Sequence, residues 1–436
     1  MAAASTKKQG RIHYAWIIMV ACCFLQAGQL GIIQNLSGVF LQPVSDSIGC
    51  GRGDLSLYMT IQAWATAFMM PIVGRWLPTK NINVLMTVAA ILDGGGFMLM
   101  SQFTEPWQWW LDAVVIGIGS SFLFFAPLPM FINNWFKKKN GLAMGISTAF
   151  SGVGAAIFTP ILANLIVTVG WQSSYIIAGA ASLILTVPFT AFVLKFKPSD
   201  VGMTPYGAEE GETVESAKAG LNVGISAKRA WATGLVVLIF LTGGVMSLST
   251  SFTMHVTGFG AWLGMSATAL GLLGSANMIG NLAGKLVLGP LNDIIGTKKT
   301  LIIGYVIVAV GLLMVIFNGG NIAILFIGAL FYGVSFSIQT VMLPMVCTKM
   351  FGPKDFPKLF SYATMGNAFI GSMGIAINGA IFDAAGSYYP GLIFVSACAI
   401  AAFLMLMFGM WRAHRVGFDK EEEASAAPSD ADPARA

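Results

Sequence analysis

The chain has 436 residues, of which 56% are hydrophobic and 10% charged, with a formal net charge of +5 and a mean hydropathy of +0.76. A soluble domain carries roughly 25% charged residues, so a chain this long and this apolar cannot close into a water-solvated globule and takes lipid as its solvent. The positive balance is no nucleic-acid signal, because the basic residues sit in the loops between apolar runs.

Those runs are continuous, each about 20 residues or more, which suits helices that cross the hydrocarbon rather than the period-two strands of a barrel. Lys7, Lys8 and Arg11 precede a first run far too long for a signal-peptide core, and no small-residue cleavage site follows, so the first helix is expected to be retained. Twelve spans are expected, at 14–40, 54–76, 82–103, 107–134, 141–168 and 172–194, then 230–258, 266–291, 300–317, 322–350, 359–383 and 389–411.

The stretch between the sixth and seventh runs is polar, with Glu209, Glu210, Glu212 and Glu215, and reads as a linker. The tail is acidic, then rich in Ala, Pro and Asp, a composition that buries no core and is expected to be disordered. The predicted fold is an all-α membrane protein of twelve transmembrane helices in two six-helix pseudo-symmetric bundles. Residues 1–195 form the first, 196–229 a cytoplasmic linker, 230–415 the second and 416–436 the tail.

Of 24 Lys and Arg, all but Arg52 and Lys285 fall at the termini or after even-numbered spans. Cytoplasmic loops collect these residues, so both termini and the linker are expected in the cytoplasm, with the protein multi-pass in the cell (inner) membrane. The halves echo each other: Ala149-Phe150-Ser151-Gly152-Val153-Gly154 against Ala368-Phe369-Ile370-Gly371-Ser372-Met373-Gly374, and Gly74-Arg75-Trp76-Leu77 against Gly289-Pro290-Leu291-Asn292. Repeated halves around a midplane site are a transporter architecture.

Lys285 is a charge set well inside an apolar run of the second half, eight residues before Asp293, roughly 12 Å along a helix. An ammonium there costs about 2.5–3.5 kcal/mol unless it faces a bundle interior or a water-filled cavity. It is the candidate for meeting a negatively charged substrate; the alternative is snorkelling to the headgroups. Asn281 and Asn277 precede it at helical spacing on the same face. Gln29, Gln34, Gln62, Ser120 and Ser121 are candidate lining groups of the first half.

Asp93, followed by three glycines in span three, is either a proton site or a carboxylate bonded to backbone amides. His255 is a second candidate for a proton, or a polar residue near the outer mouth. Asp112 is read as a helix-start acid. Cys22, Cys23, Cys50, Cys347 and Cys398 lack metal spacing and read as packing residues. His13, His255 and His414 are scattered, with no phosphate loop, nucleophile elbow or HExxH, so neither enzyme chemistry nor a cofactor or metal is expected.

The stretch Gly289-Pro290-Leu291-Asn292-Asp293-Ile294-Ile295-Gly296-Thr297-Lys298-Lys299 resembles the loop signature of the major facilitator superfamily, in which a glycine, an acid, a second glycine and basic residues form a gating loop. The first-half copy has Pro78 in the acid's place and Asn81 in that of the second glycine. Within the superfamily, Trp135-Phe136-Lys137-Lys138-Lys139-Asn140-Gly141-Leu142-Ala143-Met144-Gly145, Gly170-Trp171-Gln172 and Lys197-Pro198-Ser199-Asp200-Val201-Gly202-Met203-Thr204-Pro205-Tyr206-Gly207 are similar to the oxalate:formate antiporter and monocarboxylate transporter group.

That resemblance implies the major facilitator fold, with substrate bound midway between the halves and access alternating by rocking. It implies a small organic anion, a monocarboxylate or small dicarboxylate, as substrate, moved by exchange against a counter-anion or by proton symport. The protein is expected to be a monomer in the bilayer with no nucleic-acid partner. The group carries an arginine where Lys285 stands, an acid commonly at Asn281, a lysine in span one, and in oxalate carriers a second basic residue near Gly366 and Asn367. One cation in place of two suits a single carboxylate contact. The rival readings are a carrier of neutral or cationic solutes and a receptor on a transporter scaffold.

Overall fold

The computed structural model describes residues 13–123, 126–209, 213 and 223–417. Lys7, Lys8, Arg11, Glu210, Glu212, Glu215 and nearly all of the tail lie outside them.

The regular elements are helices, and they supply twelve spans. These are Tyr14–Ile48 (span one), Arg52–Trp76 (two), Ile82–Gln102 (three), Pro106–Ser121 with Pro127–Trp135 (four), Asn140–Pro188 (five and six), Leu235–Trp262 (seven), Ala267–Ile295 (eight), Thr297–Ile316 (nine), Ile322–Phe351 (ten), Phe356–Ala385 (eleven) and Tyr389–Val416 (twelve). Among the described residues, nine stretches are long and apolar enough to cross a membrane. The longest of these, Asn140–Val193, holds two crossings, because Gly170 at φ 84° and ψ 163° turns the chain between them. Span four is cut short of Pro127, and span eight is diluted by glycine, asparagine and Lys285.

Local chemistry sets the ends. The Nδ1 of His13 accepts from Ala15 N at 3.2 Å and caps span one. The amide oxygen of Asn81 accepts from Asn83 N and Val84 N and caps span three, so the residue at the second-glycine position of the first-half loop is a helix cap. Glu105, Pro106 and Gln108 form a capping box at span four, and Asn321 caps span ten. Among the described residues three spans contain π-helical stretches, Gln26–Gln34 in span one, Phe189–Val193 at the end of span six and Ile338–Met342 in span ten. Such stretches are rare and recur at functional sites.

The chain forms two compact units, Met1–Gln62 with Thr79–Glu212, and Ala63–Pro78 with Thr213–Ala436. In the first, spans one and five touch backbone to backbone: a Cβ on Gly154 would stand 2.6 Å from Ala27 O. In the second, Gly284 lies against Ser337 and Gly333 against the Asn277 backbone, which brings spans eight and ten equally close. Within the same unit the Ala63–Pro78 part of span two packs on span eleven. Trp64 Nε1 donates to Ser372 Oγ at 3.1 Å, and the Trp64 and Phe68 rings lie 5.9 Å from Phe369.

The linker is pinned at both ends by main-chain bonds. In the first unit Tyr206 N donates to Trp135 O at 2.8 Å and Lys137 N to Tyr206 O at 3.0 Å, on the loop after span four. In the second, Ile225 N donates to Phe351 O at 2.7 Å and Lys354 N to Val223 O at 3.3 Å, on the loop after span ten. Ala227 N then donates to Asp355 Oδ2 at 2.8 Å.

Candidate functional site

The first unit gathers the polar residues of four spans into one chain of hydrogen bonds. Gln62 Nε2 donates to Gln34 Oε1 at 3.1 Å and to Ser120 Oγ at 3.3 Å. Ser120 Oγ donates in turn to Asp93 Oδ1. Gln34, Gln62 and Asp93 thus belong to one network, and Ser120 is the group that joins them. Ser121, fully buried, lies outside that network and donates to Ile118 O of its own helix at 2.6 Å. Gln29, fully buried, donates to Thr186 Oγ1 of span six at 3.2 Å and leaves its Oε1 without a partner.

Asp93 is fully buried, and its Oδ2 has no hydrogen-bond partner. Buried polar atoms are nearly always paired, so this oxygen marks the residue as unusual. The glycines after it give no local amide bond to that oxygen, contrary to the backbone-bonded alternative. Asp112 corrects its sequence reading: the capping box ending at Gln108 starts the helix, and Asp112 follows one turn later, buried, with an unpartnered Oδ2 of its own.

The second unit carries Lys285, Asn281 and Asn277 along one face of span eight, turned to span ten. Lys285 is 3% exposed, and its Nζ stands 5.5 Å from the centre of the Phe336 ring. Span eight continues ten residues past it to Ile295, roughly 15 Å at the helical rise, so the ammonium lies deeper than the loop motif implied. It faces another helix, which departs from the snorkelling alternative. Both asparagines are engaged in holding that helix pair. Ser337 Oγ donates to Asn281 O at 2.6 Å and reaches its Oδ1 at 3.3 Å. Asn277 Nδ2 donates to Ala329 O at 3.0 Å, while its Oδ1 is buried without a partner. Phe336 and Ser337 were missed in the sequence, where an aromatic and a serine among many carry no mark.

His255, half-buried, sits in a short 3-10 turn of span seven. Its Nε2 lies 3.1 Å from Ile375 O, and its ring is 6.2 Å from both Phe252 and Tyr388. It belongs to the second unit and Asp93 to the first.

The motif expected as a loop from 289 to 299 is mostly helix. Span eight runs through Pro290 to Ile295, so buried Gly289 and exposed Asp293 are helical. Gly296, at φ 81° and ψ 160°, makes the turn alone, and exposed Lys298 and Lys299 fall in the first turn of span nine. That backbone region is open essentially to glycine only, and the following helix starts at once.

The profile of the Major Facilitator Superfamily matches residues 22–263 and 261–433. The chain belongs to the Major Facilitator Superfamily. It is 23% identical over 357 residues to the uncharacterized MFS-type transporter YhjX of Escherichia coli (strain K12), covering 80% of this chain and 84% of that one. It is 23% identical over 175 residues to monocarboxylate transporter 14 of Homo sapiens, covering 40% of this chain and 34% of that protein. Among solved structures it is similar to the superfamily transporter FucP in the outward conformation, with a TM-score of 0.64, 16% identity and coverage of 91% and 99%. It is also similar to the proton:xylose symporter XylE, with a TM-score of 0.68, 14% identity and coverage of 91% and 96%. These likenesses give the fold: twelve spans, in a superfamily of membrane transporters and not of enzymes.

Proposed function

We propose that this superfamily member is a secondary transporter of a small organic anion, a monocarboxylate or small dicarboxylate, and that Lys285 neutralises the substrate carboxylate. The observation that carries this reading is a lysine 3% exposed, about 15 Å from the end of its span, held against an aromatic ring. A buried ammonium is costly in a membrane and is kept where it has a use. The Phe336 face stabilises the ammonium at that depth. The partial match to a protein named monocarboxylate transporter 14 supports the same substrate class. In this reading the two sequence halves form six-helix bundles, the Gly289, Asp293, Gly296, Lys298 and Lys299 segment gates them, both termini face the cytoplasm across the inner membrane, and the protein works as a monomer.

The test is uptake of radiolabelled formate, lactate, pyruvate and oxalate into proteoliposomes. Uptake of one or more of them by the wild type, lost in Lys285→Gln at equal protein incorporation, supports the reading. Uptake unchanged by that substitution removes it. A carrier of neutral or cationic solutes would show no competition among anions.

A second reading concerns coupling. Asp93, fully buried with one unpartnered oxygen, favours proton symport over anion exchange. A carboxyl that alternates between acid and anion bears and releases one proton per cycle, and the chain of Ser120, Gln62 and Gln34 ties it to three other spans.

A further inference from the structure

Spans three and four meet with each acidic residue packed on a glycine of the opposite helix. Asp93 of span three lies against Gly119 of span four, where a Cβ would stand 2.9 Å from Asp93 N and 3.1 Å from its Cβ. Asp112 of span four lies against Gly96 of span three, where a Cβ would stand 3.1 Å from Asp112 Oδ1. Gly96 follows Asp93 by about one turn, and Asp112 precedes Gly119 by about two, so both acids fall on one seam, one to two turns or about 5–10 Å apart along it.

Each acid is more than nine-tenths buried and each leaves Oδ2 without a partner. Two further polar atoms in the same core are orphaned, Tyr58 Oη from span two and Trp109 Nε1 from span four, both in fully or almost fully buried side chains. The titratable groups of this core are therefore the two carboxyls with Tyr58 of span two and Tyr175 of span six; spans one, two and four add the uncharged Gln34, Gln62 and Ser120. Among the described residues no Lys or Arg is paired with either carboxyl. Two fixed anions with no cation between them, in a low-dielectric core, repel each other and are poorly solvated. Protons are the ligand that such a pair takes.

We propose that Asp112 and Asp93 form a proton relay along the seam of spans three and four. The acid form of Asp112 gives its proton to the carboxylate of Asp93, so that Asp112 becomes the anion, Asp93 the acid, and total charge is unchanged. Asp112 lies near the end of the seam where span four begins, and Asp93 at the end joined to Ser120 and Gln62. The proposal rests on the proton-symport reading of Asp93 and adds the group that feeds it.

The experiment is a pH titration of the protonated-carboxyl stretch of the purified full chain in lipid nanodiscs, by infrared difference spectroscopy, with no substrate present. The wild type is expected to show two buried carboxyl signals. Asp93→Asn removes one, Asp112→Asn removes the other, and each single variant moves the midpoint of the survivor. A survivor that keeps its wild-type midpoint in both variants, or an Asp112→Asn spectrum that loses no signal, overturns the relay. Should an asparagine variant fail to elute as folded protein, Asp112→Glu, which keeps a carboxyl on one more methylene, replaces it: a restored, shifted pair of signals supports the relay, and a single unshifted signal overturns it. Because this arm needs no substrate, its failure is distinct from failure of the anion reading. A coupled titration alongside uptake indifferent to Lys285→Gln would sink the substrate assignment and leave the relay standing.

Discussion

Lys285 holds its ammonium 5.5 Å from the centre of the Phe336 ring, and Ser337, the next residue of span ten, hydrogen-bonds Asn281 one turn before that lysine. Neighbouring residues of span ten thus meet span eight at Lys285 and one turn before it. Removing the ring while keeping its bulk isolates the aromatic part. A desolvated cation–π contact is worth about 2 kcal/mol or somewhat less, so Phe336→Leu is expected to change anion affinity by several-fold up to roughly thirtyfold. Half-saturation of uptake in proteoliposomes reads this directly, and an affinity identical to the wild type would leave the ring a packing residue only.

Replacing Lys285 itself has the larger expected effect. A hydrogen bond to a charged group contributes about 1.5–3 kcal/mol, which corresponds to a loss of roughly ten- to a hundredfold in affinity for Lys285→Gln. Thermal unfolding of the same variant is the control for a structural role. Lys285→Arg retains the charge and partially retains uptake. If Lys285→Gln lowered stability and uptake together, the lysine would be a structural element of spans eight and ten.

Asp93→Asn keeps the shape and the Ser120 contact but cannot release a proton. Net uptake driven by a pH gradient should vanish, while exchange of labelled for unlabelled anion persists. Equal loss of both would make Asp93 structural. Ser120→Ala removes the donor to Asp93 and the acceptor of Gln62, and leaving buried polar groups unpaired costs about 1–3 kcal/mol, visible as a lowered Tm of the purified protein.

Gly296 and Gly170 share a backbone region that side chains do not adopt, at φ 81° and 84° with ψ 160° and 163°. Alanine at either position should destabilise by about 1–3 kcal/mol. At Gly154, where the neighbour is the Ala27 backbone, alanine forces spans one and five apart beside the π-helical stretch. Fluorescence-monitored unfolding separates these from Gly49→Ala, an open position. There the left-handed φ of 69° alone acts, and the smaller loss is expected.

His13 predicts a pH effect outside the spans. Burial lowers its pKa, and a hydrogen bond to the Thr204 backbone opposes this in part. Its Nδ1 accepts from Ala15 N and must stay unprotonated to do so. Because the folded state holds the neutral form, this contribution to stability is complete above the ordinary histidine value of about 6.5 and declines as pH falls through the lower folded value. His13→Asn, which keeps a capping acceptor that does not titrate in this range, should flatten that part of the Tm profile between about pH 7 and 5. A profile of unchanged slope would assign the acid sensitivity elsewhere.

Composition and charge parity made the twelve spans legible, because solvent preference acts on each run by itself. Gly296 was legible too, as the second glycine of the loop motif, where a φ of 81° makes the turn. Ser120 and Ser121 show where legibility stops. They are neighbours, about 100° apart around the helix, and only the placement of Asp93 and Gln62 on adjacent spans decides which one enters the network. Asp112 was misread because an acid near a helix start has a ready local explanation. Its burial comes from Gly96 of another helix, a pairing with no local trace. The π-helical stretches in spans one and ten were likewise silent, as a change of hydrogen-bond register leaves composition untouched.

The pinning of the linker at Tyr206 and at Ile225 has a consequence for how its sequence can vary. The bonds run from main chain to main chain, and every residue but proline offers the same donor and acceptor. Mutation can therefore rewrite the side chains of both straps almost freely while the connection persists. Each anchor is thus written in the backbone and survives changes in the spelling around it.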